Sequence, residues 1–280
     1  MRKDGYRVKN ANPMYTVMPY ILTKRYDSMN MIEVTVPIAP IQNYLNEKRK
    51  QGYSLSHMGV LIAAYIRTAA EYPQLNRFIV NKRIYQRNEF TVAMVVLKPG
   101  ESDGTMNKMY FSMEDDIFRV HEIIDEYVST NRQPGDVNAT DDLITTLLKI
   151  PGLCNVGVGL FKLMDRYGIL PKSIIHASPF HNSLVISNLA SIRTNYIYHH
   201  LYDFGTSSVF ITMGNMKEVP KRVRGEIEFE RCMPLGIVMD ERICSGSYFA
   251  NAFRRMSQYL SNPALLEKPP EVVNTVLGRA

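Results

Sequence analysis

Apolar and polar positions alternate over residues 31–38: Ile32, Val34, Val36 and Ile38 share one face, Glu33 and Thr35 the other. That period of two predicts a half-buried strand. Pro40 suits the first turn of a following helix, with Ile41, Tyr44 and Leu45 as its buried stripe and Gln51-Gly52 as its end. The pattern then changes. Over 57–72 the chain is apolar nearly all round, through Met58, Val60, Leu61, Ile62, Ala63, Ala64, Ile66, Ala69 and Ala70. This predicts a helix buried on most sides, capped by Ser54 or Ser56 and stopped by Pro73. Residues 76–85, 89–97 and 108–111 read as strands, with a Lys-Pro-Gly-Glu-Ser-Asp-Gly turn at 98–104. Ser112, followed by Glu114 and Asp115, reads as a helix start with acids at the positive end of the dipole. Ile117, Val120, Ile123, Ile124 and Tyr127 give that helix its buried stripe.

Residues 132–138 form a Pro/Gly linker, and 139–167 an apolar helical segment closed by Gly168. Part of it, 143–164, is apolar for about the length of a spanning helix. Lys149, Pro151, Gly152, Asn155 and Lys162 interrupt it, so a pair of short helices that contact a partner or a membrane surface is the expectation for 139–173. Further on the chain reads as sheet: 184–186, 209–213 and 226–238, with Gly225 turning a hairpin between 217–222 and 226–232. A last helix over 247–260 buries Phe249, Ala252, Phe253, Met256 and Leu260 and ends at Asn262-Pro263. Residues 1–27 are polar without a clear period and read as an N-terminal arm with a single helical turn. Strands and helices mix without regular βαβ alternation, which predicts an α+β fold in one domain over 1–280.

Composition narrows the function. Of the 280 residues 45% are hydrophobic and 21% charged, as in an ordinary globular chain. Thirty-three basic against twenty-seven acidic residues leave +6, scattered apart from Lys48-Arg49-Lys50 and Lys221-Arg222-Val223-Arg224. A nucleic-acid binder would carry a denser basic face, so none is expected. Cys154, Cys232 and Cys244 have neither metal-ligand nor disulfide-framework spacing. Their odd number and the lack of a signal peptide point to a reducing cytoplasm, and no metal site is expected.

One short charged turn, Asp240-Glu241-Arg242-Ile243-Cys244-Ser245-Gly246, sits between an apolar strand and an amphipathic helix, where a rigid frame can aim a side chain. It also closes a series of family-like stretches. Residues 61–76, "LIAAYIRTAAEYPQLN", resemble a buried helix ending in "PELN". Residues 184–189, "LVISNL", resemble an "FTISNL" strand. Residues 210–219, "FITMGNMKEV", resemble an "ILGVG" strand and hairpin. Residues 233–266 resemble a closing "LPLSLSYDHRVIDG", a helix and "NPxxLL". In this order, over about 15–268, the chain resembles the coenzyme-A-dependent acyltransferases: the dihydrolipoyl acyltransferase cores of 2-oxoacid dehydrogenase complexes and chloramphenicol acetyltransferase. The lipoyl and subunit-binding domains have no counterpart here, and 139–173 reads as a helical insertion.

The resemblance implies a two-layer mixed-sheet acyltransferase fold and a homotrimer, with scope for a higher assembly. Active sites lie in channels between subunits, with coenzyme A as the acyl-CoA substrate. In the family a motif histidine takes the proton from the attacking thiol or hydroxyl, and a serine on the "ISNL" strand of a neighbour bonds the oxyanion. Ser187 matches that serine; Asp240, Arg242 and Gly246 match the turn. The histidine position, however, holds Glu241, and the second acidic position holds Ser245. A glutamate of ordinary pKa, about 4.3, lies roughly four units below a thiol and is a poor base for one. The resemblance therefore implies either an acyltransferase with an altered base, catalytic through Ser187 and Glu241, or a catalytically inactive trimeric scaffold or binding module. His199 and His200 are alternative bases; on a strand they would face opposite sides. His57 and His121 fall on helices and read as structural, while His176 and His181 flank the Ser187 strand. Cys244, inside the turn, reads as a packed thiol.

Overall fold

The longest strand, β10 (Glu226–Asp240), changes character halfway. Its first half alternates charged residues with Ile227 and Phe229 and stays exposed, paired only with β9 (Lys217–Val223) through the Arg224-Gly225 turn. From Met233 onward it is continuously buried. A near-unbroken apolar run suits a strand covered on both faces. It lies between β2 (Met29–Pro37) and β8 (Val209–Met213). The main sheet runs β2-β10-β8-β7-β5-β6, where β5 is Phe90–Leu97, β6 Gly104–Phe111 and β7 Leu184–Asn188. Pairs β5/β7 and β7/β8 are parallel and the others antiparallel, so the sheet is mixed. This computed structural model describes residues 2–97, 104–132, 145–146, 148–149 and 152–274.

Helices α2 (Ile38–Lys50), α3 (His57–Glu71), α4 (Ile117–Asn131) and α7 (Gly246–Ser261) accompany the sheet. Val60, Leu61, Ile62 and Ile66 of α3 join Val92, Leu184, Ile186, Ile211, Leu235 and Ile237 of the sheet in one core. The α3 cap is Ser56, whose hydroxyl accepts from Gly59 N at 3.1 Å. On the opposite face, Ala93, Val185, Phe210 and Val238 pack with Leu201. An irregular stretch crosses that face closely. Thr212 Oγ1 accepts from Ile197 N at 3.2 Å and donates to Ile197 O at 2.6 Å. Gly236 permits the approach, since a Cβ there would stand 2.6 Å from Ile197 O.

Several local expectations need correction. The arm at 1–27 is more structured than one turn: β1 (Gly5–Arg7) pairs with β4, and α1 spans Pro13–Ile21, capped by Asn12. Residues 76–85 form a hairpin, β3 (Arg77–Val80) and β4 (Arg83–Arg87), turned by Asn81 and Lys82 with φ of 48° and 60°. Left-handed backbone at two successive residues is the geometry of a tight hairpin turn. The cap of α4 is Asp116, bonded to Arg119 N at 2.8 Å; Ser112 belongs to the turn before it. The helical segment contains α5 (Leu153–Tyr167), which begins after Gly152 at φ 81° and ends at Gly168. The expected helix over 139–144 lies outside the described residues. A short α6 (Lys172–Ala177) follows. His199 and His200 are on no strand.

A buried ionic cluster fastens the arm and α5 to this frame. Arg2 donates to Asp4 through Nε and Nη2, both at 2.9 Å, and to Asp165 Oδ1 at 2.6 Å. His181 Nε2 lies 3.3 Å from the same Asp165 oxygen, and its Nδ1 is 2.8 Å from Ser178 Oγ. Burial opposes charge on Asp4 and Asp165, but their cationic partners prevail and hold both carboxyls below the usual range.

Candidate active site

The family-like turn follows β10 directly. Asp240 is fully buried and holds Arg242 by two hydrogen bonds, Nε to Oδ1 at 2.8 Å and Nη2 to Oδ2 at 2.7 Å. A bidentate pair of this kind fixes orientation as well as charge. Arg25 Nε stands 3.6 Å from Asp240 Oδ2, and its other nitrogens donate to the carbonyls of Tyr202, Gly205 and Ile79. Burial pulls the Arg25 pKa below its ordinary value, against the field of Asp240. One buried aspartate thus faces two arginines. The turn is braced without a second acid, and Ser245 serves instead as the cap of α7, accepting from Tyr248 N at 3.1 Å.

Glu241 points away from this cluster. Its Oε2 accepts from Asn30 Nδ2 at 3.0 Å near the surface, while its backbone N donates to Ser28 O. Cys244 is buried, and burial pushes its thiol well above the ordinary range, so it is held neutral.

Ser187 is at the far end of the sheet. It pairs with Thr212 on β8, which pairs with Gly236 on β10. Glu241 is five positions beyond Gly236, roughly 16 Å along the strand direction and roughly 10 Å across two strand spacings. Within one chain these two residues do not meet. The Ser187 side chain is half-buried, and its hydroxyl has no hydrogen-bond partner among the described residues. It opens into a cavity of about 590 Å³ between the ends of β5 and β7, the start of α3 and one face of α4. Met58, Met94 and Val96 make its apolar wall; Ser56, Asn188 and Arg132 supply polar groups.

That cavity also receives His121 and Asp125, one turn apart on α4. Asp125 Oδ2 lies 3.4 Å from His121 Nε2. His121 Nδ1 is buried without a partner and faces Gly59, where a Cβ would stand 3.2 Å from it. The carboxylate at Nε2 favours the tautomer that leaves the Nδ1 lone pair free. Sequence reading placed His121 as a structural helix residue. Its spacing to Asp125 is the one signal that pointed further.

The other histidines lie elsewhere. His199 stacks on Phe210 at 4.2 Å, and its Nδ1 lies 2.9 Å from His200 O. His57 lines a smaller neighbouring cavity of about 300 Å³ with Asn188, and burial lowers its pKa. His176 stacks on Tyr110; His181 is locked in the Asp165 cluster. A cavity of about 850 Å³ elsewhere, between Tyr6, Asn76, Arg87 and Tyr110, is lined by neither Ser187 nor Glu241.

Residues 181–267 match the family model described as the catalytic domain of 2-oxoacid dehydrogenases acyltransferase. No curated protein matches by sequence. Among solved structures, a probable dihydrolipoamide acetyltransferase from Listeria monocytogenes 4b F2365 superposes with a TM-score of 0.57 at 13% identity, over 91% of this chain and 94% of that one. The cubic core of the pyruvate dehydrogenase multienzyme complex gives 0.56 at 12%, over 92% and 93%. A chloramphenicol acetyltransferase gives 0.55 at 11%, over 91% and 99%. The chain therefore has the mixed-sheet fold of chloramphenicol acetyltransferase and the dihydrolipoamide acetyltransferase cores, as its family-like stretches imply.

Proposed function

We propose that this protein transfers an acyl group between coenzyme A and a thiol or hydroxyl acceptor in the cavity that holds Ser187. The observation that carries the reading is the unengaged Ser187 hydroxyl, on the strand that resembles "FTISNL", facing a roomy cavity that His121 and Asp125 also line. The match over 181–267 supports the reaction class. The catalytic unit is a homotrimer, a reading supported by the likeness to the cubic core. The wide separation of Ser187 from Glu241 in one chain suits a site completed between subunits.

The chemistry follows from the groups present. The His121 imidazole, at the cavity wall, takes the proton from the attacking thiol or hydroxyl, and the freed electron pair bonds to the thioester carbonyl carbon. The carbonyl oxygen becomes an oxyanion, and the Ser187 hydroxyl donates to it; one such donor is worth about 10²–10³ in rate. Asp125 stands beside the ring, its Oδ2 3.4 Å from Nε2. Collapse of the tetrahedral species expels the leaving thiolate, which recovers the proton from His121. A general base of this kind contributes about 10²–10⁴. Glu241 of the partner subunit is the second candidate for the proton-accepting role, as the position of the family histidine.

A second reading has its own support. The Glu241 carboxylate is engaged by Asn30, and Ser245 serves as a helix cap. In that reading the trimer is a silent scaffold. Thiol release from acyl-coenzyme A over a panel of thiol and hydroxyl acceptors separates the two. Turnover lost in Ser187→Ala supports transfer. Coenzyme A binding without turnover supports the scaffold, and absence of coenzyme A binding removes the acyltransferase reading.

A further inference from the structure

Two helices carry apolar faces that no described residue covers. On α5, Val156, Leu160, Leu163 and Tyr167 recur at helical spacing and are between 51% and 69% exposed. On α1, Met14, Val17, Tyr20 and Ile21 are between 49% and 67% exposed. Helices on a globular surface ordinarily turn such stripes inward; here they face out.

The Asn81-Lys82 turn joins the two helices. Lys82 Nζ sits 5.1 Å from the ring centre of Tyr20 on α1, and Asn81 Oδ1 accepts from Arg166 Nε of α5 at 3.3 Å. Between them opens a cavity of about 420 Å³, into which Lys24, Lys82, Lys162 and Arg166 project. Lys24 pairs with Asp203 at 3.4 Å. Arg25 and Arg242, deeper in the wall, are committed to Asp240. The Asp165 carboxylate turns to Arg2 and His181. Among the described residues no carboxylate pairs with Lys82, Lys162 or Arg166. Three cations that pair with no carboxylate among the described residues thus line one hollow between the two helices that carry the apolar stripes.

We propose that this face is a docking surface for an anionic phospholipid bilayer. Headgroup phosphates neutralise Lys82, Lys162 and Arg166, and the α1 and α5 stripes lie in the headgroup–acyl boundary. An apolar face combined with a basic patch is the two-signal arrangement that holds a protein on an anionic surface. No described helix is long and apolar enough to cross a membrane, so α5 lies in the plane of the interface. A two-fold pair docked face to face here would set these cations against their own kind, which like-charge repulsion opposes. The proposal is independent of acyl transfer.

The test is flotation of the full chain with vesicles of phosphatidylcholine alone and of phosphatidylcholine with phosphatidylglycerol. The expected result is flotation with the anionic vesicles only, weakened by salt. Binding falls at least about tenfold in Leu160→Glu/Leu163→Glu and, separately, in Lys82→Ala/Lys162→Ala/Arg166→Ala, with circular dichroism unchanged. All five side chains are at the surface or the cavity mouth, so folding is not at stake. Failure to float with anionic vesicles overturns the proposal, as does flotation that neither variant changes. So does complete displacement by free glycerol phosphate or coenzyme A, which would assign the cations to a soluble phosphate. A change of oligomeric size in Leu160→Glu/Leu163→Glu with no flotation by the parent would assign the stripe to a protein contact.

Discussion

Asp240 and Arg242, two positions apart in one turn, close on each other through hydrogen bonds of 2.8 and 2.7 Å, both side chains buried. Arg25 approaches the same carboxylate at 3.6 Å. The turn holds Ser245 after Cys244 and is braced by one aspartate that gathers both arginines. Burying one anion with two cations is tolerable where hydrogen bonds satisfy most of their nitrogens. Carbonyls of Leu22, Ile79, Tyr202 and Gly205 accept from the two guanidinium groups, while Arg25 Nε faces Asp240 without a hydrogen bond.

Asp240→Ala is therefore expected to be severe. It leaves two buried guanidinium groups without their anion, a change that costs about 3–5 kcal/mol. Urea unfolding should show a midpoint moved far down. A change below about 1 kcal/mol would mean that the carbonyls alone suffice.

The Arg2 cluster predicts an acid response. Burial raises both pKa values, but Arg2 lowers that of Asp4, and His181 with Arg2 that of Asp165, so that the net shift of each is downward. A carboxyl with a depressed folded pKa stabilises the fold above its unfolded pKa, about 3.9, and that stabilisation is lost as pH falls through the folded value. Wild type should lose stability below about pH 4 by detaching the arm and α5. Arg2→Ala removes the guanidinium that both carboxylates share, leaving Asp4 with Arg87 at 4.0 Å and Asp165 with His181 at 3.3 Å. The variant should be less stable at neutral pH and show a smaller acid-side loss, as read by unfolding across pH.

Lys108 predicts the opposite limb. Its ammonium is buried and donates to Ile175 O and His181 O; burial first, then Arg87, lowers its pKa to about 7. The unfolded chain binds this proton up to about pH 10.4 while the folded chain releases it near 7. Stability should therefore rise from about pH 7 toward pH 10, and Lys108→Met should flatten that rise. A slope unchanged in the variant would assign it to other groups.

The legible parts of the fold were those where composition and period agree. The alternation of β2, the all-round apolar α3 and the dense run of β10 each admit one reading. The "LVISNL" strand located Ser187. In the arm, β1 was not legible, because it exists only by pairing with β4, whereas the Asn12 cap and Pro13 were a local signal for α1. The β3–β4 hairpin hid because its turn uses Asn81 and Lys82 without a glycine or proline. His121 lies on α4, as its spacing implies. Only packing of α4 over β5 and β7 brings it into the Ser187 cavity, and no local pattern reports such a juxtaposition.

The most direct test of the site compares kcat/KM for thiol release from acyl-coenzyme A in His121→Gln and Glu241→Gln, measured side by side on folded protein. The account predicts a loss of at least about 10² in His121→Gln and under about tenfold in Glu241→Gln. Full activity in His121→Gln, with the loss falling on Glu241→Gln, would contradict it and return the proton-accepting role to the turn.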